Sequence, residues 1–187
     1  LKNTGIDAAS FTSIRLISAA VALWLIVRLS NNANPGKGNW PSAFALFAYA
    51  AGFSFAYINL TAATGALLLF GAVQTTMIGY GMWRGERLLS LQWLGLVLAL
   101  GGLVGLTLPG LSAPPLVSSL LMIGAGAAWG IYSLRGKGAG DPTLVTAGNV
   151  LRTVPITVVW SLLMMRQTTW DGAGVWFAIT SGALTSG

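Results

Sequence analysis

The sequence predicts an all-α integral membrane protein, a polytopic helical bundle, and three observations predict it. Only 7% of the 187 residues are charged and 55% are hydrophobic, whereas ordinary soluble domains are about a quarter charged. The mean hydropathy is +0.74, which leaves more apolar surface than a globule of this size can hide from water, so that surface must face lipid. Finally, the few charges gather between apolar runs of helix length, whereas helices that face water carry a polar stripe along their whole length.

A helix that crosses the hydrocarbon needs about 20 mostly apolar residues at about 1.5 Å each. By that measure the chain holds six complete spans and the start of a seventh. The first runs from Ala8 to Leu29, with Asp7 as N-cap, since a short carboxylate can accept the unpaired N–H groups of a first turn. The segment NNANPGKGNWP breaks it with Asn, Pro and Gly. A second span covers Ser42 to Leu60 and a third Thr64 to Trp83, with a short turn around TAAT between them. The fourth runs from Leu88 to Leu108 and stops at Pro109-Gly110; the fifth covers Leu116 to Leu134. RGKGAGDP leads into the sixth, Pro142 to Met165, where Pro155 is expected to kink the helix. The seventh starts near Gly172. A polar lead-in at Leu1 and an apolar stretch at the other end make further helices on both sides the expectation.

The basic residues alternate between connections. Arg28 and Lys37 flank the first, Arg84 and Arg87 lie in the third, Arg135 and Lys137 in the fifth, while the second and fourth have no Lys or Arg. The sixth sets Arg166 against Asp171. Cytoplasmic loops are enriched in Lys and Arg, so the odd connections are assigned to the cytoplasm and RGER, 84–87, becomes an inner elbow with Trp83 and Trp93 near the interface. A chain beginning in the cytoplasm then needs one more helix before Leu1.

Several chemistries are excluded. The sequence has neither Cys nor His, which removes disulfides, thiol chemistry, the usual zinc ligands and histidine acid–base catalysis. The carboxylates Asp7, Glu86, Asp141 and Asp171 all fall at span ends or in connections. No catalytic set, metal site or cofactor is expected, and the protein is not expected to be an enzyme. The net charge of +6 is scattered between apolar runs, so the lipid bilayer, not nucleic acid, is the partner it implies. GAGAAWG, 124–130, mimics a dinucleotide fingerprint but lies inside a span with no strand before it. GIYSLRGK, 130–137, has one residue too many for a phosphate loop.

Two segments resemble each other. SIRLISAAVALWLIVRL from Ser13 and VLRTVPITVVWSLLMMRQ from Val150 each hold an Arg inside an apolar run, with a second Arg thirteen or fourteen places on. The first helix runs inward and the sixth outward. Similar segments of opposite orientation mark inverted-repeat transporters, whose substrate site lies near the midplane between the repeats.

The stretch YINLTAATGALLLFGAVQTTMIGYGMWRGERLLSLQWLGLVLALGGLVGLTLP, 57–109, resembles the EamA-type family of the drug/metabolite transporter superfamily. It has the small-residue turn, the Gly85-Glu86-Arg87 elbow, and Gly95 with Gly101-Gly102 in the next helix. AAWGIYSLRGKG from Ala127 is similar to the start of the family's second half, and Arg15 and Arg152 fit the arginine near the start of each half's second helix. The chain departs from the pattern at AVQTT, 72–76, where many members carry a proline. The resemblance implies part of a ten-helix, two-half inverted-repeat (5+5) transporter. Residues 1–110 would be the first half without its first helix, and 111–187 the start of the second, up to an incomplete eighth helix. It implies a secondary carrier of a small metabolite or drug-like solute, working by alternating access in the bacterial cytoplasmic (inner) membrane. A homodimer is one assembly open to it. The other function the sequence allows is a non-transporting scaffold or assembly module.

Candidate substrate-path residues are Gln74, Asn149, Arg152 and Arg15. Arg152 sits roughly 15 Å into its helix, where a charge faces a cavity or a partner, or snorkels to the headgroups. Its repetition as Arg15 favours a structural role for it. Asn149 lies a turn before Arg152 on the same face, and Gln74 is mid-helix; such amides either bind substrate or bond across helices. Asn59, Tyr57 and Trp129 are weaker candidates. Gly81 with Gly85, Gly101 with Gly105, and Gly126 with Gly130 have the four-residue spacing that lets helices approach closely in lipid.

Overall fold

The computed structural model describes residues 5–30, 38–107, 114–164 and 171–185. The regular elements among them are seven α-helices: α1 (Ala8–Leu29), α2 (Trp40–Ala56), α3 (Ala62–Trp83), α4 (Ser90–Thr107), α5 (Leu116–Gly136), α6 (Pro142–Met164) and α7 (Gly172–Thr185). The molecule is a helical membrane protein. Lys37, Leu108, Pro109, Gly110, Met165 and Arg166, which entered the reading of spans and loops, lie outside the described residues.

Among the described residues four helices, α1, α3, α5 and α6, are long and apolar enough to cross a bilayer, against the six complete spans expected; the expected fourth span ends at Leu108, outside the described residues. Capping explains why α2 falls short. Asn39 caps its start, its Oδ1 accepting the Ser42 N–H at 2.9 Å, so that the helix begins at Trp40, two residues before the expected start. At the other end the N–H groups of Tyr57, Ile58, Asn59 and Leu60 turn back to carbonyls of Phe53, Phe55 and Ala56. Thr61 then caps α3, accepting the Thr64 N–H at 3.2 Å. The turn around TAAT thus reaches back to Tyr57, leaving α2 17 residues, about 25 Å of helix. The described apolar part of α4 is Ser90–Ala99 and that of α7 is Gly172–Leu184.

The carboxylates serve helix starts. Asp7 accepts the Ser10 N–H at 2.8 Å, as expected of an N-cap. Asp141 accepts from Thr143 and Leu144 at the start of α6, and Asp171 from Gly174 at the start of α7. Each satisfies first-turn donors and sits at the positive end of a helix dipole. At the RGER elbow, Gly85 has φ +89°, the Gly85 N–H bonds Met82 and the Glu86 N–H bonds Gly81, both at 3.0 Å. This is a Schellman close, in which the left-handed residue is favourably a glycine.

α1 packs against α6, α7 and α2; α2 against α5 and α6; α3 against α5; and α4 against α3. Lipid tails are as apolar as leucine, so these contacts rest on close packing and interhelical hydrogen bonds. One cluster joins Ala19, Ala20, Leu23 and Val27 of α1 to Leu46 of α2 and to Ala147 and Val150 of α6. A second joins Ala56 and Leu60 to Leu69 of α3 and to Met122 and Ala125 of α5.

Of the three glycine pairs, Gly126 and Gly130 meet the expectation. A Cβ on Gly126 would lie 2.6 Å from the Leu69 carbonyl oxygen and 2.7 Å from Ala72 Cβ, and one on Gly130 2.9 Å from Thr76 Cβ. Gly101 and Gly105 have nothing within 4 Å, and Gly81 and Gly85 belong to the elbow. Their identical spacing hides different roles.

The Gly126–Leu69 and Gly130–Thr76 contacts rise together along both helices, so α3 and α5 run parallel. Asn39 and Arg135 meet at one end of the bundle, while Asn59 meets Ser118 and Ser13 meets Ser161 towards the other. Arg28, Arg84, Arg87, Arg135 and Lys137 are therefore all exposed at one end, as the alternation of charges anticipates.

Candidate functional site

Arg15 lies in the eighth position of α1, roughly 10 Å along the helix from the end opposite the basic one. Its guanidinium carbon is 5.5 Å from the centre of the Phe53 ring and 5.9 Å from that of Tyr49. Tyr49 continues into Trp129 at 4.7 Å between centroids, and Trp129 into Tyr132 at 5.6 Å. Tyr49 and Phe53 of α2 and Tyr57, its C-cap, follow one another at four-residue intervals, with centroids 5.7 and 4.7 Å apart. An arginine over aromatic faces gains from cation–π attraction, by up to about 2 kcal/mol when desolvated.

Arg15, Tyr49, Trp129 and Tyr132 line a cleft of about 400 Å³ between α1, α2, α5 and α6, completed by Leu16, Ala19, Leu46, Ala50, Thr146 and Val150. A neighbouring cleft of about 410 Å³ shares Tyr49 and Trp129 and extends along Phe53 and Tyr57 to Leu69, Phe70 and Val73 of α3. Volumes of this size, mostly apolar with a few polar groups, are typical of small-molecule sites. Among the described residues the Arg15 guanidinium meets ring faces and no acidic side chain.

The four sequence candidates do not converge. Arg15 lines the cleft. Arg152 turns back along its own helix, its Nη1 donating to the Gly148 carbonyl at 2.8 Å. Asn149 is buried, and its Oδ1 accepts the Asn39 N–H at 2.8 Å. Asn39 Oδ1 in turn accepts from Arg135 Nη2, and Arg135 Nε donates to Ser42 Oγ, both at 3.2 Å. These four residues knit α2, α5 and α6 at the basic end, and the Gly38 backbone lies so close to Gly148 and Asn149 that a side chain would collide there. Gln74 stands on α3 outside the cleft's lining, its buried Oε1 without a hydrogen-bond partner among the described residues. Of the weaker candidates, Trp129 and Tyr57 line the two clefts and Asn59 donates to Ser118 Oγ at 3.3 Å.

Sequence reasoning passed over Tyr49, Phe53 and Tyr132. Their spacing, at 49 and 53 with Tyr57 a turn on, then at 129 and 132, places them on single helical faces but does not say whether those faces meet lipid or a cleft.

Neither a family model nor a solved structure matches the chain. An uncharacterized protein of Pseudomonas aeruginosa is 53% identical over 188 residues. The match takes in 100% of this chain and 66% of that protein, so the chain spans just under two thirds of the relative's length. The functional reading therefore rests on the cleft and on the helices that build it.

Proposed function

We propose that the chain belongs to the EamA-type family of the drug/metabolite transporter superfamily and acts as a secondary carrier of a small metabolite or drug-like solute. In this reading it supplies helices two to eight of a ten-helix, 5+5 inverted-repeat transporter in the bacterial cytoplasmic membrane. Alternating access follows from rocking of the two halves about a central site. The observation that carries the reading is the cleft: helices from both proposed halves, α1 and α2 with α5 and α6, enclose about 400 Å³ around one guanidinium and a wall of aromatic rings. Intramembrane ionisable groups facing a cavity mark solute pathways by default.

The experiment is uptake into sealed vesicles containing the purified full chain, with a broad panel of labelled metabolites and drug-like solutes and an imposed gradient. Accumulation of one of them above its equilibrium level is expected. Absence of uptake across the panel, with no saturable binding, would instead leave a membrane-embedded scaffold.

A further inference from the structure

We propose that the Arg15 cleft selects an organic anion with a flat, apolar body, an aromatic carboxylate lacking an ammonium group, and that Arg15 holds the carboxylate while the rings hold the body. This deepens the carrier reading and rests on it.

The anion is argued from what Arg15 has and lacks. A guanidinium carries five N–H donors and no acceptor. Ring faces attract its charge but offer no oxygen lone pairs, so Tyr49 and Phe53, at 5.9 and 5.5 Å from its central carbon, leave most of those donors unused. Asp7 and Asp171, at the end of the bundle nearer Arg15, are engaged at the starts of α1 and α7, and Asp141 caps α6 at the basic end. A ligand carboxylate fits the vacant role because its two oxygens match the guanidinium fork, and such charge-assisted pairs are roughly twice as strong as neutral ones.

The flat body is argued from the wall. Trp129 and Tyr132 continue the aromatic surface from Tyr49 within 5.6 Å centroid steps, and stacked or edge-on rings favour a planar guest. Apart from Arg15, Thr146 and the Tyr49, Trp129 and Tyr132 ring-edge donors, the lining is aliphatic, too few groups to bond the hydroxyls of a sugar. An ammonium group would meet no carboxylate and would face the like charge of Arg15.

The test uses the full chain in nanodiscs of phosphatidylcholine, so that no anionic headgroup is present, and calorimetric titration with three indoles of one shape. Indole-3-acetate is expected to bind about tenfold or more tighter than neutral indole-3-acetamide or cationic tryptamine, a difference of about 1.4 kcal/mol or more. Arg15→Gln should erase that preference, Arg15→Lys should keep part of it, and Tyr49→Leu should weaken all three ligands together. Equal binding of the three indoles by the unaltered chain overturns the proposal, and needs no variant to fold. So does an Arg15→Gln protein with the preference intact, or loss of indole-3-acetate binding when phosphatidylglycerol is added, which would make a lipid headgroup the occupant. Uptake of neutral or cationic solutes in preference to anions overturns this inference and leaves the carrier standing. Selective anion binding without uptake sinks the carrier and leaves the site.

Discussion

Asn149 is buried on α6 with its carbonyl oxygen committed to the Asn39 N–H, so its role is that of a clasp between the start of α2 and the side of α6. Replacing it by Leu leaves that N–H without a partner in a partly buried place, at a cost of about 1–2 kcal/mol. Asn149→Leu should therefore lower the thermal midpoint of the purified protein while leaving ligand affinity at the cleft within about twofold. An affinity loss larger than the stability loss would put the amide in the binding path. Some residue roles were legible in the sequence because their physics is local. Asp7 precedes an apolar run by one position, and an acceptor placed there meets the N–H three residues on. Tyr49 and Phe53 were not legible in the same way, because an aromatic residue in an apolar helix reads alike whether it faces lipid or a cleft. Only the approach of α1 decides between them.

The helices show the same division. Their existence and order could be read from apolar runs separated by turn residues, and α1 has the bounds expected of it. The end of α2 could not, because Tyr57 to Leu60 are as helix-compatible as what precedes them and are diverted by hydrogen bonds of the turn. Glycine roles were equally hidden, since three pairs share one spacing and only one pair lies between packed helices. This difference is measurable. Gly126→Val places a branched side chain against the Leu69 carbonyl and Ala72, which should cost about 2 kcal/mol or more by overpacking. Gly105→Val meets open space and should change stability by less than about 0.5 kcal/mol. Thermal unfolding of both variants in one detergent checks the contrast, and equal destabilisation would refute the α3–α5 contact.

At the scale of the whole molecule, charge polarity and helix direction agree. Arg28, Arg84, Arg87, Arg135 and Lys137 lie at one end of the bundle, a pattern that was readable because topology is written in loop charges. Which helices touch was not readable, because apolar surfaces in lipid carry no label of their neighbours. By the positive-inside rule Lys137 is expected on the cytoplasmic side and Pro114, ahead of α5, on the other. The sequence has no cysteine, so Lys137→Cys and Pro114→Cys each introduce a single thiol. In intact cells a membrane-impermeant thiol reagent should label Pro114→Cys, and should label Lys137→Cys only after permeabilisation; the reverse pattern would invert the orientation. Finally, α4 leans on α3 alone among the principal packing pairs, and its described side chains are nearly all outward. Among the described residues, little protein holds such a rod in place. Delipidation will loosen it before it disturbs the arginine cleft, and a harsh surfactant will therefore blur the periphery of the protein while sparing its centre.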